Sequence, residues 1–96
     1  MGIREAYDFE QLVNAAEKLV LDELEKQLKE NKKTCKCQDC VLDMAAYALN
    51  NVKPFYRVSL LGKLYTDSAA ESDYGEDVKK VVAEAINKIG ENPSHD

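Results

Sequence analysis

Between Asp8 and Asn31, the residues Phe9, Leu12, Val13, Ala16, Leu19, Val20, Leu24 and Leu28 recur in steps of about three to four, with charged residues between them. That period lines them along one face of an amphipathic helix, and such a face must be buried against another element. Asp8 followed by Gln11 has the capping-box arrangement and predicts that the helix starts there. Asn31 tolerates the left-handed conformation that often ends a helix and predicts its end.

The same reasoning gives two more helices. One begins within or just after a cysteine cluster at Cys35, Cys37 and Cys40 and runs to about Asn51, with Val41, Leu42, Ala45, Ala48, Leu49 and Val52 as its apolar stripe. Lys53-Pro54 ends it, because proline disfavours helical backbone in the residue before it. The last opens on Ser68 and Glu71, a second capping box, turns Tyr74, Val78, Val81, Val82, Ala85, Ile86 and Ile89 inward, and stops at Gly90. Gly75 inside it marks a bend or a later start. Between the second and third helices, "PFYRVSLLGKLYT" (54–66) is rich in aromatic and β-branched residues and reads as an irregular loop with at most one or two short strands. The fold class is all-α: a single domain over residues 1–96 with three main helices and a mobile acidic tail from about residue 91. The stripes are broad for a three-helix domain, which points to a symmetric dimer closing the remaining apolar surface.

At 96 residues the chain buries only about two thirds of the surface its unfolded form exposes, so a metal or a partner subunit would help it appreciably. No apolar run approaches the roughly 18 residues of a membrane span. The N-terminal "MGIREAYDFE" is too charged for a secretory signal, which predicts a cytoplasmic protein without membrane contact. The net charge is −5, and residues 67–96 carry the whole excess. Such a chain is not expected to bind duplex DNA directly, since that binding is driven by phosphate neutralisation. A local run of Lys26, Lys29, Lys32, Lys33 and Lys36 reads as a solvated helix end rather than an anion site, its charges near the negative pole of the helix dipole.

All three cysteines fall within six residues, spaced C-x-C-x-x-C. Three thiolates this close can converge on one ion without help from distant parts of the chain, and Zn²⁺ favours soft sulfur in a tetrahedral array. The lysines and the positive helix N-terminus favour thiolates as well. Two other readings stay open: a Cys37–Cys40 redox pair, for which the usual βαβ setting is missing, and three inert buried thiols. The metal reading leads. For its fourth ligand the candidates are His95, the only histidine, or Asp39, a residue of a dimer mate, a water or a small molecule.

The run "CKCQDCVLDMAAYALNNVKPFY", followed by "GKLY", resembles the ComFB family of late competence development proteins. The resemblance rests on the three cysteines, Asp43, the alanine-rich "AAYALN", the proline with Tyr56, then Gly62 and Tyr65, and it spans Leu12 to Thr66. It implies a mostly helical homodimer with a cysteine-bound zinc. It also implies, from some members, a receptor for a cyclic dinucleotide such as cyclic di-GMP or cyclic di-AMP, acting on a protein partner that the sequence does not identify. Where relatives complete the zinc site with a fourth cysteine, this chain has none.

A cyclic dinucleotide presents two phosphates and two purine faces, so its receptor needs cations and planar side chains. Lys53, Tyr56, Arg57, Lys63 and Tyr65 lie close together in sequence and supply both kinds; each also has a structural reading, as a core cap or an ion-pair partner. The alternative function is a zinc-stapled structural or protein-interaction module linked to competence, with no small-molecule ligand. No enzyme is expected: Asp39 and Asp43 beside the cysteines read as cap and dipole partners, and no general base accompanies them.

Overall fold

The computed structural model describes residues 2–58 and 73–91. In chain order these form a short helix α1 (Ile3–Ala6), a 3₁₀ turn (Phe9–Gln11), strand β1 (Val13–Asn14), helix α2 (Ala16–Glu30), helix α3 (Gln38–Asn51), strand β2 (Tyr56–Arg57) and helix α4 (Asp73–Glu91). The fold is all-α, with one two-stranded antiparallel ladder that pairs Val13 with Arg57 and Asn14 with Tyr56.

The core is made of apolar residues spaced about four apart, so that each helix turns a narrow row inward. Val20, Leu24 and Leu28 of α2, Cys40, Met44 and Ala48 of α3, and Val78, Val82, Ala85 and Ile86 of α4 form one cluster. Met44, Val20 and Val82 are its largest side chains with no exposure. Gly75, Ala48 and Ala85 are small and buried, which lets the helices approach closely.

Helix α2 starts eight residues later than Asp8, where its capping pattern placed it. The Asp8 carboxylate accepts from the Glu10 N–H and the Gln11 amide, but those bonds close only the 3₁₀ turn. Val13 and Asn14 are extended because their backbone pairs with β2, and a strand ladder takes the N–H and C=O groups a helix would have used. Phe9, Leu12 and Val13 are therefore exposed and stand outside the core stripe.

Other expectations shift by smaller amounts. Asn31 ends α2 in extended backbone, φ −107° and ψ 100°, and is not left-handed. Its side-chain oxygen accepts from the N–H groups of Lys33 and Thr34, an Asx-type turn that starts the short link to α3. On α3 the buried row is Cys40, Met44 and Ala48, with Val41, Ala45 and Leu49 half-buried at its side and Leu42 57% exposed. Gly75 lies buried in the first described turn of α4, which runs one residue past Gly90 to Glu91. Ser68 and Glu71, most of the 54–66 segment, and the tail beyond Glu91 lie outside the described residues.

The ends of the long helices gather at two poles. At one, the Asn14 side chain accepts from both Ala16 N–H (3.1 Å) and Phe55 N–H (2.8 Å), and Ala15 N–H donates to the Phe55 carbonyl. There the Tyr74 hydroxyl, in the first turn of α4, donates to the Lys53 carbonyl, and its ring meets Phe55 edge-to-face at 5.3 Å. At the opposite pole, Ile86 and Asn87 of α4 line a groove with Asn31, Lys32 and Lys33 of the α2–α3 link. The cysteines lie at this second pole, in the link and the first turn of α3.

Candidate metal centre

The link places Cys35 and Cys37 before α3, and the first helical turn brings Cys40 back beside them. Cys37 is the N-cap of α3: its backbone is extended and its Sγ accepts from the Cys40 N–H at 3.4 Å. Sulfur here takes the place that a serine or aspartate oxygen usually fills. The three Sγ atoms lie within 4.8 Å of one another. All three are thiols rather than disulfides; Cys40 is buried, and Cys35 and Cys37 are half-buried.

The thiols are electrostatically unequal. The Cys40 N–H bond, helped by the thiols of Cys35 and Cys40 and the Asp39 N–H, holds the Cys37 thiol below its ordinary value, against the opposing effect of burial. Burial pushes the Cys40 thiol up to about 12, and its hydrogen bonds to Cys37 and Cys35 and their charge act in the same direction. Of these two, Cys37 is thus the more thiolate-prone and Cys40 the less.

This donor set fits zinc. Four ligands at the usual Zn–S length of about 2.3 Å hold sulfurs about 3.8 Å apart, a separation inside the 4.8 Å within which the three Sγ atoms lie. Among the described residues no carboxylate or imidazole joins the three sulfurs within 4.8 Å, so Asp39 and Asp43 are not gathered with them. His95 lies outside the described residues.

The residues assigned to a nucleotide are gathered less well. Lys53 is exposed, with its carbonyl held by Tyr74. Tyr56 is 61% exposed, while its neighbour Arg57 is half-buried. Successive strand residues point to opposite faces, so β2 separates the ring from the guanidinium. The Arg57 Nε is buried without a hydrogen-bond partner among the described residues. Lys63 and Tyr65 lie outside them.

The lysine run divides between two grooves. Lys26, Lys32 and Lys33 face Lys79 of α4 across a polar groove shared with Glu23 and Glu30. Lys29 and Lys36 flank an apolar one lined by Leu21, Leu24, Leu28 and Val41. Lys29 also pairs with Glu25 at 3.7 Å, as a solvated helix face does. Sequence reasoning missed the part played by Asn14. Its only signal is an Asx residue two before the first turn of α2, and its second acceptor bond reaches 41 residues along the chain. Among the described residues no helix is long and apolar enough to cross a membrane.

Comparison with known proteins agrees with this arrangement. No curated protein sequence matches the chain. One similar solved structure is that of the late competence protein ComFB from Bacillus subtilis: 27% sequence identity, a TM-score of 0.70, and coverage of 86% of this chain and 94% of that one. The model of the family described as late competence development protein ComFB matches residues 13–93, which takes in all three long helices and the cysteine cluster, and the chain belongs to that family.

Proposed function

We propose that this ComFB-family chain is a non-enzymatic regulatory protein of the cytoplasm, stapled by zinc at Cys35, Cys37 and Cys40, which acts as a homodimeric receptor for a cyclic dinucleotide. The observation that carries the metal part is the convergence of the three sulfurs within 4.8 Å at the start of α3. A half-buried thiol cluster beside a short link is where an ion adds most to a small fold, because its binding energy becomes folding energy. His95 is the fourth ligand in this proposal. It follows Glu91 by four residues, a reach of up to about 14 Å, and Ile86 and Asn87 of α4 share a groove with the α2–α3 link. Metal analysis of the purified protein tests this reading, together with melting with and without chelator. Zinc near one per chain and a lower melting temperature after chelation are expected; a metal-free protein indifferent to zinc overturns it.

For the nucleotide, the support is the exposed Tyr56 ring near the exposed Lys53, a stacking face and a cation a few residues apart. Titration calorimetry with cyclic di-GMP and cyclic di-AMP is the test. Affinity weakened by about 1–3 kcal/mol in Tyr56→Ala is expected for a lost base stack. Silence at concentrations on the order of tens of micromolar rejects the receptor. The second reading, a zinc-stapled interaction module linked to competence and without a small-molecule ligand, is favoured by the separation of Tyr56 and Arg57 on β2.

A further inference from the structure

Three features of the cysteine cluster have consequences beyond zinc. The three sulfurs form a compact triangle, and among the described residues no carboxylate or imidazole joins them within 4.8 Å. Cys40 is 1% exposed, so any charge left on the complex is partly withdrawn from water. Cys35 and Cys37 are only half-buried, which leaves an approach from solvent.

A divalent ion held by three thiolates keeps one net negative charge and asks for a fourth ligand. A trivalent thiophilic centre does neither: with three thiolates it is neutral, and three-coordinate pyramidal geometry completes it. We propose that Cys35, Cys37 and Cys40 form a three-sulfur site for trivalent arsenic, taken up as arsenous acid. The inference rests on the reading of this cluster as a metal centre and adds a second ion class to it. Soft thiolates select soft ions, and this triad offers no harder donor to compete.

The step is a ligand exchange without redox change. Arsenous acid, As(OH)₃, meets three thiols; three As–S bonds form as three As–O bonds break. Each thiol proton leaves with a hydroxide as water, giving As(SR)₃ and three molecules of water. Cys37, the sulfur already accepting the Cys40 N–H, is placed to attack first. Cys35, two residues before it, and Cys40, one helical turn after it, close the triangle.

The test uses the reduced, metal-free full-length chain, titrated with sodium arsenite and, separately, with zinc. Intact-protein mass spectrometry, the sulfur-to-arsenic near-ultraviolet band and a count of reactive thiols are the readouts. Expected are one arsenic per chain, loss of all three thiols and an unchanged result in His95→Ala. Cys35→Ser and Cys37→Ser test the triad with folding checked by circular dichroism; serine at the second position keeps an N-cap oxygen. Each should weaken arsenite binding by more than about tenfold, since even outer-shell changes at metal sites cost about 10–100-fold. Zinc binding without arsenite binding overturns the inference and leaves the zinc centre standing. Arsenite that consumes only two thiols, or that needs His95, overturns it as well. A chain that binds neither ion overturns both readings.

Discussion

Cys37 carries two separable duties, since its sulfur caps α3 and also faces Cys35 and Cys40. Serine performs the first duty at least as well, because a hydroxyl oxygen is a better N-cap acceptor, but it is a poor ligand for a soft ion. Cys37→Ser should therefore keep or raise the melting temperature of the metal-free protein while abolishing the gain on adding zinc. Cys37→Ala should lower the first and lose the second. Thermal melts with and without zinc distinguish the two. Cys40 adds a pH dependence: burial holds its proton on to about 12, so a bound ion must displace that proton at neutral pH. Zinc binding should release protons, with apparent affinity rising as pH rises. Calorimetry in buffers of differing ionisation heat reads the release directly, and equal heats in all buffers would refute it.

The strand pair and the first turn of α4 show how separate elements are tied where no long apolar stripe does it. Asn14 accepts from Ala16 at the start of α2 and from Phe55 before β2, so Asn14→Ala strands two N–H groups at once. A loss of about 1–3 kcal/mol is expected, the usual cost of unsatisfied donors, read from denaturant unfolding. On α4, burial raises the Tyr74 phenol above its ordinary value, and its hydroxyl donates to Lys53. The sign follows: below about pH 10 both folded and unfolded tyrosine are neutral, and above it the unfolded chain ionises first. The contribution of this contact is therefore complete below that pH and lost as pH rises further. Tyr74→Phe should flatten the alkaline fall in stability. Much of this architecture is legible in the sequence where the signal is local: the rows at 20, 24 and 28 and at 78, 82 and 86 announce their helices, and C-x-C-x-x-C announces its cluster. The start of α2 is not legible from Asp8 and Gln11, because a ladder between residues more than 40 positions apart decides it. Nor does the period of α3 alone separate a stripe containing Leu42 from one centred on Met44; packing against α4 makes that choice.

Among the described residues, the packing of α2, α3 and α4 around their shared cluster leaves apolar surface on the outside. Leu21 is 48% exposed and lines, with Leu24, Leu28 and Val41, a groove across α2 and α3 flanked by Lys29, Lys36 and Glu25. A stable dimer buries about 800 Å² per partner, a large share of what a domain this small can offer, so it would draw on such a face. This groove is where the proposed homodimer is tested, since a two-fold axis would place the same patch on both partners. Leu21→Glu puts a charge into that groove at a position already half in water, so the monomer should fold with little loss while the dimer fails. Sedimentation velocity of the wild type and the variant measures this. A dimer that becomes a monomer, with helical circular dichroism unchanged, is the expected outcome; a variant that stays dimeric moves the interface elsewhere. Met44→Ala is the contrasting probe. Met44 has no exposed surface at the centre of the cluster, and its loss should cost about 2–5 kcal/mol of stability in either assembly state. The two variants thus separate a loss of assembly from a loss of the interior that holds each chain together.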